Sequence, residues 1–172
     1  MKRSSALATL SHDHHQALVV AQKLRRATPD TVQAAREAWM SFWPAGRQHF
    51  RAEEEVLLPA YAGHATVSED PAVARVLLDH VTIRHLATQL ERHADTPLET
   101  LHALGGVLGE HVRFEERRLF PRIEAALPAD ELALLADALD RSSEPSNYCP
   151  GTASARNVPT TTLAARNTSS VT

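Results

Sequence analysis

The chain contains one cysteine, Cys149, so it can close no internal disulfide and cannot build a thiolate metal site. Glycine is scarce, at 6 of 172 residues, and aromatics make up only 5%. With alanine and leucine abundant, this favours helix over sheet. No apolar run approaches the roughly 20 residues that a membrane span needs, and the N-terminus lacks the apolar stretch of a secretory signal. A soluble protein of a reducing, cytoplasmic compartment is therefore expected. Neither charge dominates: 18 Lys and Arg stand against 21 Asp and Glu, a net charge of −3, which gives no electrostatic case for nucleic acid. The length suits one domain with a sizeable core. Histidine is what the chain has in excess, at 10 residues.

Part of that excess lies in a pattern written twice. His49-Phe50-Arg51-Ala52-Glu53-Glu54 runs on to Leu57 and Pro59, and His111-Val112-Arg113-Phe114-Glu115-Glu116 runs on to Leu119 and Pro121. In each copy a Glu pair begins four residues after the His, and the Leu and Pro follow at identical offsets. Residues four apart share a helix face, so His49 pairs with Glu53 and His111 with Glu115.

The spacing predicts an amphipathic helix from about Ser5 to Ala27, apolar at Leu7, Leu10, Leu18, Ala21 and Leu24, with His14 filling the gap in the stripe. His12 and His15 fall off it and read as surface residues. Thr28 is expected to cap a second helix with Pro29 at its first position. Its seam is Val32, Ala35, Trp39, Phe42, Gly46, His49, Glu53 and Val56, with Pro44 kinking or splitting it and Pro59 closing it. After a loop from Ala62 to Asp70, a third helix from Pro71 to His93 turns Val73, Leu77, His80, Ile83, Ala87 and Leu90 to one face. A fourth starts near Pro97 with Leu101, Leu104, Leu108, His111, Glu115 and Leu119 inward, Pro121 bending it before Leu127. A short fifth helix spans Asp130 to Arg141. From Ser142 to Thr172 the composition turns to Ser, Thr, Pro and Asn, a low-complexity segment expected to be disordered. His14 and His80 each follow an Asp (Asp13, Asp79), so the chain reads as a helical hairpin repeated twice. An all-α, up-down-up-down four-helix bundle over residues 1–141 is expected.

Four inward seam positions are thus His and two are Glu. An unpartnered Glu facing a core would cost several kcal/mol, and six such residues would abolish packing. One reading makes His49–Glu53 and His111–Glu115 plain ion pairs on a polar seam. The repeat favours another: two metal ions bridged by Glu53 and Glu115, each taking two imidazoles. Nitrogen and oxygen donors without sulfur suit iron, manganese or zinc. About eight donor atoms for two metals leave room for solvent and an added ligand, which suits iron better than a closed zinc site.

Asp13-His14, His49-x-x-x-Glu53-Glu54, Asp79-His80 and His111-x-x-x-Glu115-Glu116 together resemble the hemerythrin-like, or HHE cation-binding, domain family over about Leu7 to Leu127. The resemblance implies a non-haem di-iron centre with oxo or hydroxo bridges, held by His14, His49, Glu53, His80, His111 and Glu115. It departs from the oxygen-carrying hemerythrins at one place: their fifth His, four positions after the helix-three ligand, is here Arg84. His85, next along, would reach the metal only through a local distortion such as a π-bulge; otherwise it is a boundary residue. That puts the stable oxygen carriage of the animal proteins in doubt here. Glu54 and Glu116 are further candidate ligands, but helix geometry favours Glu53 and Glu115 as the bridges and leaves the second Glu of each pair to be solvated or to hydrogen-bond a ligand His, while His64, His93 and His102 read as surface residues.

The function expected is binding or sensing of oxygen, nitric oxide or redox state. The alternatives are a di-iron enzyme acting on peroxide or ferrous iron, and a zinc-stabilised structural bundle acting through partners, including a homodimer through its fifth helix.

Overall fold

The computed structural model describes residues 5–93, 95 and 97–143. Among the described residues all regular structure is helical. A 3-10 turn, Ser5–Leu7, leads into α1 (Ala8–Arg25). α2 (Val32–Ala52) passes through a π-helical turn, Glu53–Leu57, into α3 (Leu58–Ala62). A second 3-10 turn, Val67–Glu69, precedes α4 (Pro71–Arg92). α5 (Leu98–Phe114) passes through its own π-helical turn, Glu115–Leu119, into α6 (Phe120–Ala126), and α7 (Ala129–Ser143) follows. Helix thus extends two residues into the segment read from Ser142 as a disordered tail; the rest of that segment, 144–172, lies outside the described residues. No helix among the described residues is long and apolar enough to cross a membrane.

Local chemistry explains the starts and corrects two of them. Asp70 caps α4 by accepting the Ala72 N–H at 2.8 Å, with Pro71 at the first helical position. Thr28 and Pro29 do not begin α2. The Thr28 N–H instead donates to Thr31 Oγ1 at 2.9 Å, a turn forms, and the helix starts at Val32. Pro44 neither ends nor splits α2: it lies on an exposed face, where the carbonyl it leaves unpaired can meet water.

Pro59 does not close its helix either. The Leu58 N–H reaches back five residues to the Glu53 carbonyl, and the Phe120 N–H reaches Glu115 in the same way. In a tight α-turn the ring of Pro59 would press on the carbonyl of Glu55; the wider turn before it relieves that clash, and Pro121 repeats the arrangement. The extra residue advances the phase of the helix. Leu57 is therefore fully buried, while Val56, expected on the seam, is only half-buried. On α4 the inward position expected for Leu77 belongs to Val76, and Leu77 is 40% exposed. Three-four spacing admitted both, since each lies one turn before His80.

The apolar core divides into two clusters. One holds Ala17, Leu24, Trp39, Trp43, Phe50, Ile83, Leu90, Leu104, Leu108 and Val112. The other holds Leu10, Leu57, Tyr61, Val76, Leu119, Phe120 and Ile123, together with Leu135 and Leu139 of α7. Each long helix runs from one cluster to the other, and between them each carries one inward His.

α1 and α5 pack most closely at Gly105. A Cβ there would stand 2.6 Å from the Ala21 carbonyl oxygen and 2.8 Å from the Arg25 nitrogen, both backbone atoms that cannot step aside. Gly106, one residue on, has nothing within 4 Å of the same position. The neighbouring substitutions should therefore have opposite signs. Gly105→Ala should destabilise by about 1–3 kcal/mol through overpacking, whereas Gly106→Ala should stabilise by up to about 1 kcal/mol through helix propensity. Urea unfolding of the two variants beside the wild type measures this, and equal effects would mean that the helices are not in close contact at Gly105.

Candidate metal centre

Six side chains fill the layer between the two clusters. His14 comes from α1, His49 and Glu53 from α2 and its π turn, His80 from α4, and His111 and Glu115 from α5 and its π turn. All six are buried, with Glu53 at 1% exposure and His80 and Glu115 at 0%. Their donor atoms form two overlapping groups, each within 4.8 Å: His14, His49, Glu53 and Glu115, and then Glu53, His80, His111 and Glu115. Both glutamates belong to both groups. His49 Nε2 and His80 Nε2 each lie 3.2 Å from an oxygen of Glu53, on opposite oxygens. His14 Nε2 and His111 Nε2 lie 3.1 and 3.3 Å from Glu115 Oε2.

Short distances here do not mean satisfied groups. Both oxygens of Glu53, both oxygens of Glu115, His80 Nε2 and His111 Nε2 are buried without a hydrogen-bond partner among the described residues. Buried polar atoms normally find partners, and each orphan costs roughly 1–3 kcal/mol. Here the orphans converge on one layer from three of the four long rods. The atoms left over are those of a nitrogen–oxygen ligand set, so the residues fit a pair of divalent cations.

A carboxylate from another helix stands behind each imidazole, within hydrogen-bond reach of three of the four. Asp13 on α1 lies 3.2 Å from His49 Nδ1, and Glu54 in the first π turn accepts from His80 Nδ1 at 2.7 Å. Asp79 on α4 faces His111 Nδ1 at 3.9 Å, and Glu116 in the second π turn accepts from His14 Nδ1 at 2.8 Å. The hydrogen-bonded links therefore pass from α1 to α2, from the α2 rod to α4, and from the α5 rod back to α1, while His111 Nδ1 has no partner among the described residues. A proton kept on Nδ1 leaves Nε2 as a lone pair aimed at the centre, the form in which imidazole ligates.

Glu54 and Glu116 thus stand behind the histidines, as the sequence suggested. Asp13 and Asp79 were visible only as neighbours of His14 and His80. Their role could have been read from the repeat, because a residue one position before an inward His points about 100° round the helix, towards the next rod. Ser11 Oγ, which donates to Glu116 at 2.7 Å, and the arginines that grip Asp79 and Glu54 gave no signal in the sequence. His85 is not brought to the cluster. It is exposed, and its Nε2 accepts from the Gln89 amide at 3.1 Å. The π turns that could have redirected it lie in the two rods bearing the glutamates, and α4 is regular. His12, His15, His64, His93 and His102 are all exposed, as expected; His64 pairs with Glu131 at 2.6 Å, and His102 bonds the Ala27 carbonyl.

The protein's own charges leave the layer unevenly protonated. Burial pushes Glu115 well above the usual carboxylate range, and the charge of Glu53 pushes it further. Burial would raise Glu53 too, but His49 and His80 outweigh it and hold that carboxyl well below its usual value. Burial, helped by the neighbouring histidines and opposed by Glu53, holds His111 neutral, its pKa well below the ordinary one. Burial also works against a charged His49, but Glu53 and a hydrogen bond to Asp13 override it and raise its pKa to about 9. To ligate, His49 must lose that proton. Affinity for a divalent ion should therefore fall as pH drops below 9, by about tenfold per unit for this proton alone. Competition against a chromophoric chelator at a series of pH values measures it, and a flat profile would remove His49 from the ligand set.

The hemerythrin HHE cation-binding domain family model matches residues 5–123, which span all four long rods up to Ile123 of α6. No curated protein and no solved structure matches the chain. With more than half of its length matched and a buried His and Glu cluster at the heart of that length, the chain belongs to the hemerythrin HHE cation-binding domain family.

Proposed function

We propose that the layer holds two iron ions, with His14 and His49 serving one, His80 and His111 the other, and Glu53 and Glu115 shared. On this reading the protein binds or senses a small ligand such as dioxygen or nitric oxide, or the redox state around it. The observation that carries it is the pair of overlapping donor groups with two common glutamates, both buried and both without hydrogen-bond partners. Iron in such a site supplies one-electron chemistry and coordination positions that the protein does not fill.

The chain's own residues support the rest of the reading. The carboxylates behind His14, His49 and His80 fix the tautomer that ligates. A cleft of about 420 Å³ between α1 and α2 runs along Ala17, Val20, Phe42, Leu108 and Val112 and ends against His14, His49 and His111. Its mainly apolar walls admit an uncharged ligand and disfavour ions. Because successive long helices run alternately from one apolar cluster to the other, they fit an up-down-up-down bundle, and residues 1–141 make one domain.

Metal analysis of protein from iron-replete cells, read beside its visible spectrum in air and after anaerobic reduction, tests this. Two irons per chain and absorption that bleaches on reduction are expected. Colour that returns with oxygen and persists fits a binding protein, while rapid decay with turnover of peroxide or ferrous iron would make it an enzyme. Colourless, stoichiometric zinc would make it a structural bundle. His49→Ala combined with His111→Ala should release the metal and lower the melting temperature, since the metal stabilises only the folded chain. Full occupancy in that double variant would overturn the ligand assignment.

A further inference from the structure

One histidine of the layer is backed by a carboxylate that an arginine grips with two prongs. His80 Nδ1 donates to Glu54 Oε1 at 2.7 Å, and its ring stacks on Phe50 at 3.9 Å and 14°. Arg84, one turn further along α4, donates to both oxygens of Glu54, at 2.7 Å through Nη1 and 3.0 Å through Nη2. The same guanidinium lies 5.5 Å from the centre of the Phe50 ring. Arg84, Glu54, His80 and Phe50 therefore form a closed circuit joining α4 to the α2 rod. Two-pronged bonding fixes the plane and position of a carboxylate, which a single contact does not.

A glutamate one position from Glu53 has a choice. It can turn back to an imidazole, or swing outwards into water and leave that imidazole free to rotate or change tautomer. Partial burial would raise the Glu54 carboxyl, but the bonds from Arg84 and His80 outweigh it and keep it ionised as an acceptor.

The geometry points to Arg84 as a positioning residue: by clamping Glu54 behind His80, it prepares the His80–His111 half of the centre to take its metal ion. This rests on the two-metal reading above. Arg84 acts through Glu54 and touches no ligand atom of the centre, so two opposing effects can be told apart. As a bare positive charge near two cations, it would weaken metal binding, and its removal would tighten it. As a clamp it strengthens binding, and its removal weakens one half of the centre.

Stepwise titration of the metal-free full chain with Co(II), whose visible absorption reports ligand geometry, decides between them. The wild type should take two equivalents. Arg84→Gln should take one equivalent as tightly as the wild type and the other about 10- to 100-fold more weakly, the usual penalty for losing a group that orients a metal-bound His. Anomalous diffraction from crystals loaded with one equivalent should then place cobalt between His14 and His49. In a Glu54→Gln background, Arg84→Gln should cost nothing further, because the link it acts through is already broken. Arg84→Lys, which keeps the charge and loses the fork, should fall between the wild type and Arg84→Gln.

Tighter binding, equal weakening of both equivalents, a cost that persists in Glu54→Gln, or full affinity in Arg84→Lys would each overturn the clamp. Arg84 is a surface-reaching side chain, 36% exposed, so its replacement opens no cavity. Should Arg84→Gln still lose its fold, Arg84→Lys and Glu54→Gln carry the same test. A wild-type chain that takes fewer than two cobalt ions overturns the two-metal reading itself, before any variant is made.

Discussion

Everything in this fold answers to two buried carboxylates. Glu53 and Glu115 stand between two apolar clusters, with no hydrogen bond to any of their four oxygens among the described residues. Alone, such a pair would be worth several kcal/mol against folding, because desolvation outruns what distant charges return. The four imidazoles set round them are the first compensation, and they decide which carboxylate ionises. His49 and His80 keep Glu53 charged, while burial, and then that charge, push Glu115 towards its protonated form. Cations would complete the compensation, since they meet all the orphaned atoms at once. A core built this way gives up apolar packing at its middle for a site whose ligands are already assembled.

The outer carboxylates turn that site into a connector. Asp13, Glu54 and Glu116 each hydrogen-bond a histidine on another rod, so three of the four junctions are tied at the level of the polar layer. Apolar contacts above and below carry no direction; a hydrogen-bonded imidazole does. The polar layer therefore adds directional links to the register that close packing sets. The fourth junction differs, since Asp79 stands 3.9 Å from His111 Nδ1, which has no hydrogen-bond partner among the described residues. On that side order comes from Arg75, which donates to both oxygens of Asp79 at 2.9 Å and lies over Phe114.

The sequence exposed the six central residues because the His and Glu pattern is written twice, and two copies at the same offsets on four helical stripes leave little freedom. It was less able to place what depends on phase. A π turn adds one residue to a turn without any composition of its own, so Leu57 and Val56 could not be told apart. Only the prolines at 59 and 121, read as a stop and a bend, marked where the widened turns end. Val76 and Leu77 were ambiguous for a simpler reason, since both lie one turn from His80. Arg84 was legible as the absence of a fifth histidine; its grip on Glu54 was not, because contacts between rods depend on how those rods rotate. Thr31 displaced Thr28 as the start of α2 through a hydrogen bond between the two, which spacing does not reveal.

The two hairpins are alike in their ligands, but the seams that α1 makes with α5 and with α2 differ, and the difference bears on access. Between α1 and α5, Gly105 lets the backbones touch, with Ala21 and Leu24 against it, so the seam is shut at that point; the cleft further along it, at Gly109, is lined by Arg25, Arg26 and Arg113. Between α1 and α2 the facing residues are again small, among them Ala17, Ala38, Ala45 and Gly46, yet here they line an open cleft. Small residues close a seam when helices approach and open one when something else holds the helices apart. At this seam the stacked rings of Trp39 and Trp43, with Phe42 and Phe50 against them, provide bulk that α2 cannot give up. The cleft reaches His14, His49 and His111, whereas His80 lies behind Phe50 and the Arg84 clamp. Three imidazoles of the layer thus line the cleft and the fourth is braced away from it, an inequality that comes from the packing around a nearly symmetric set of side chains.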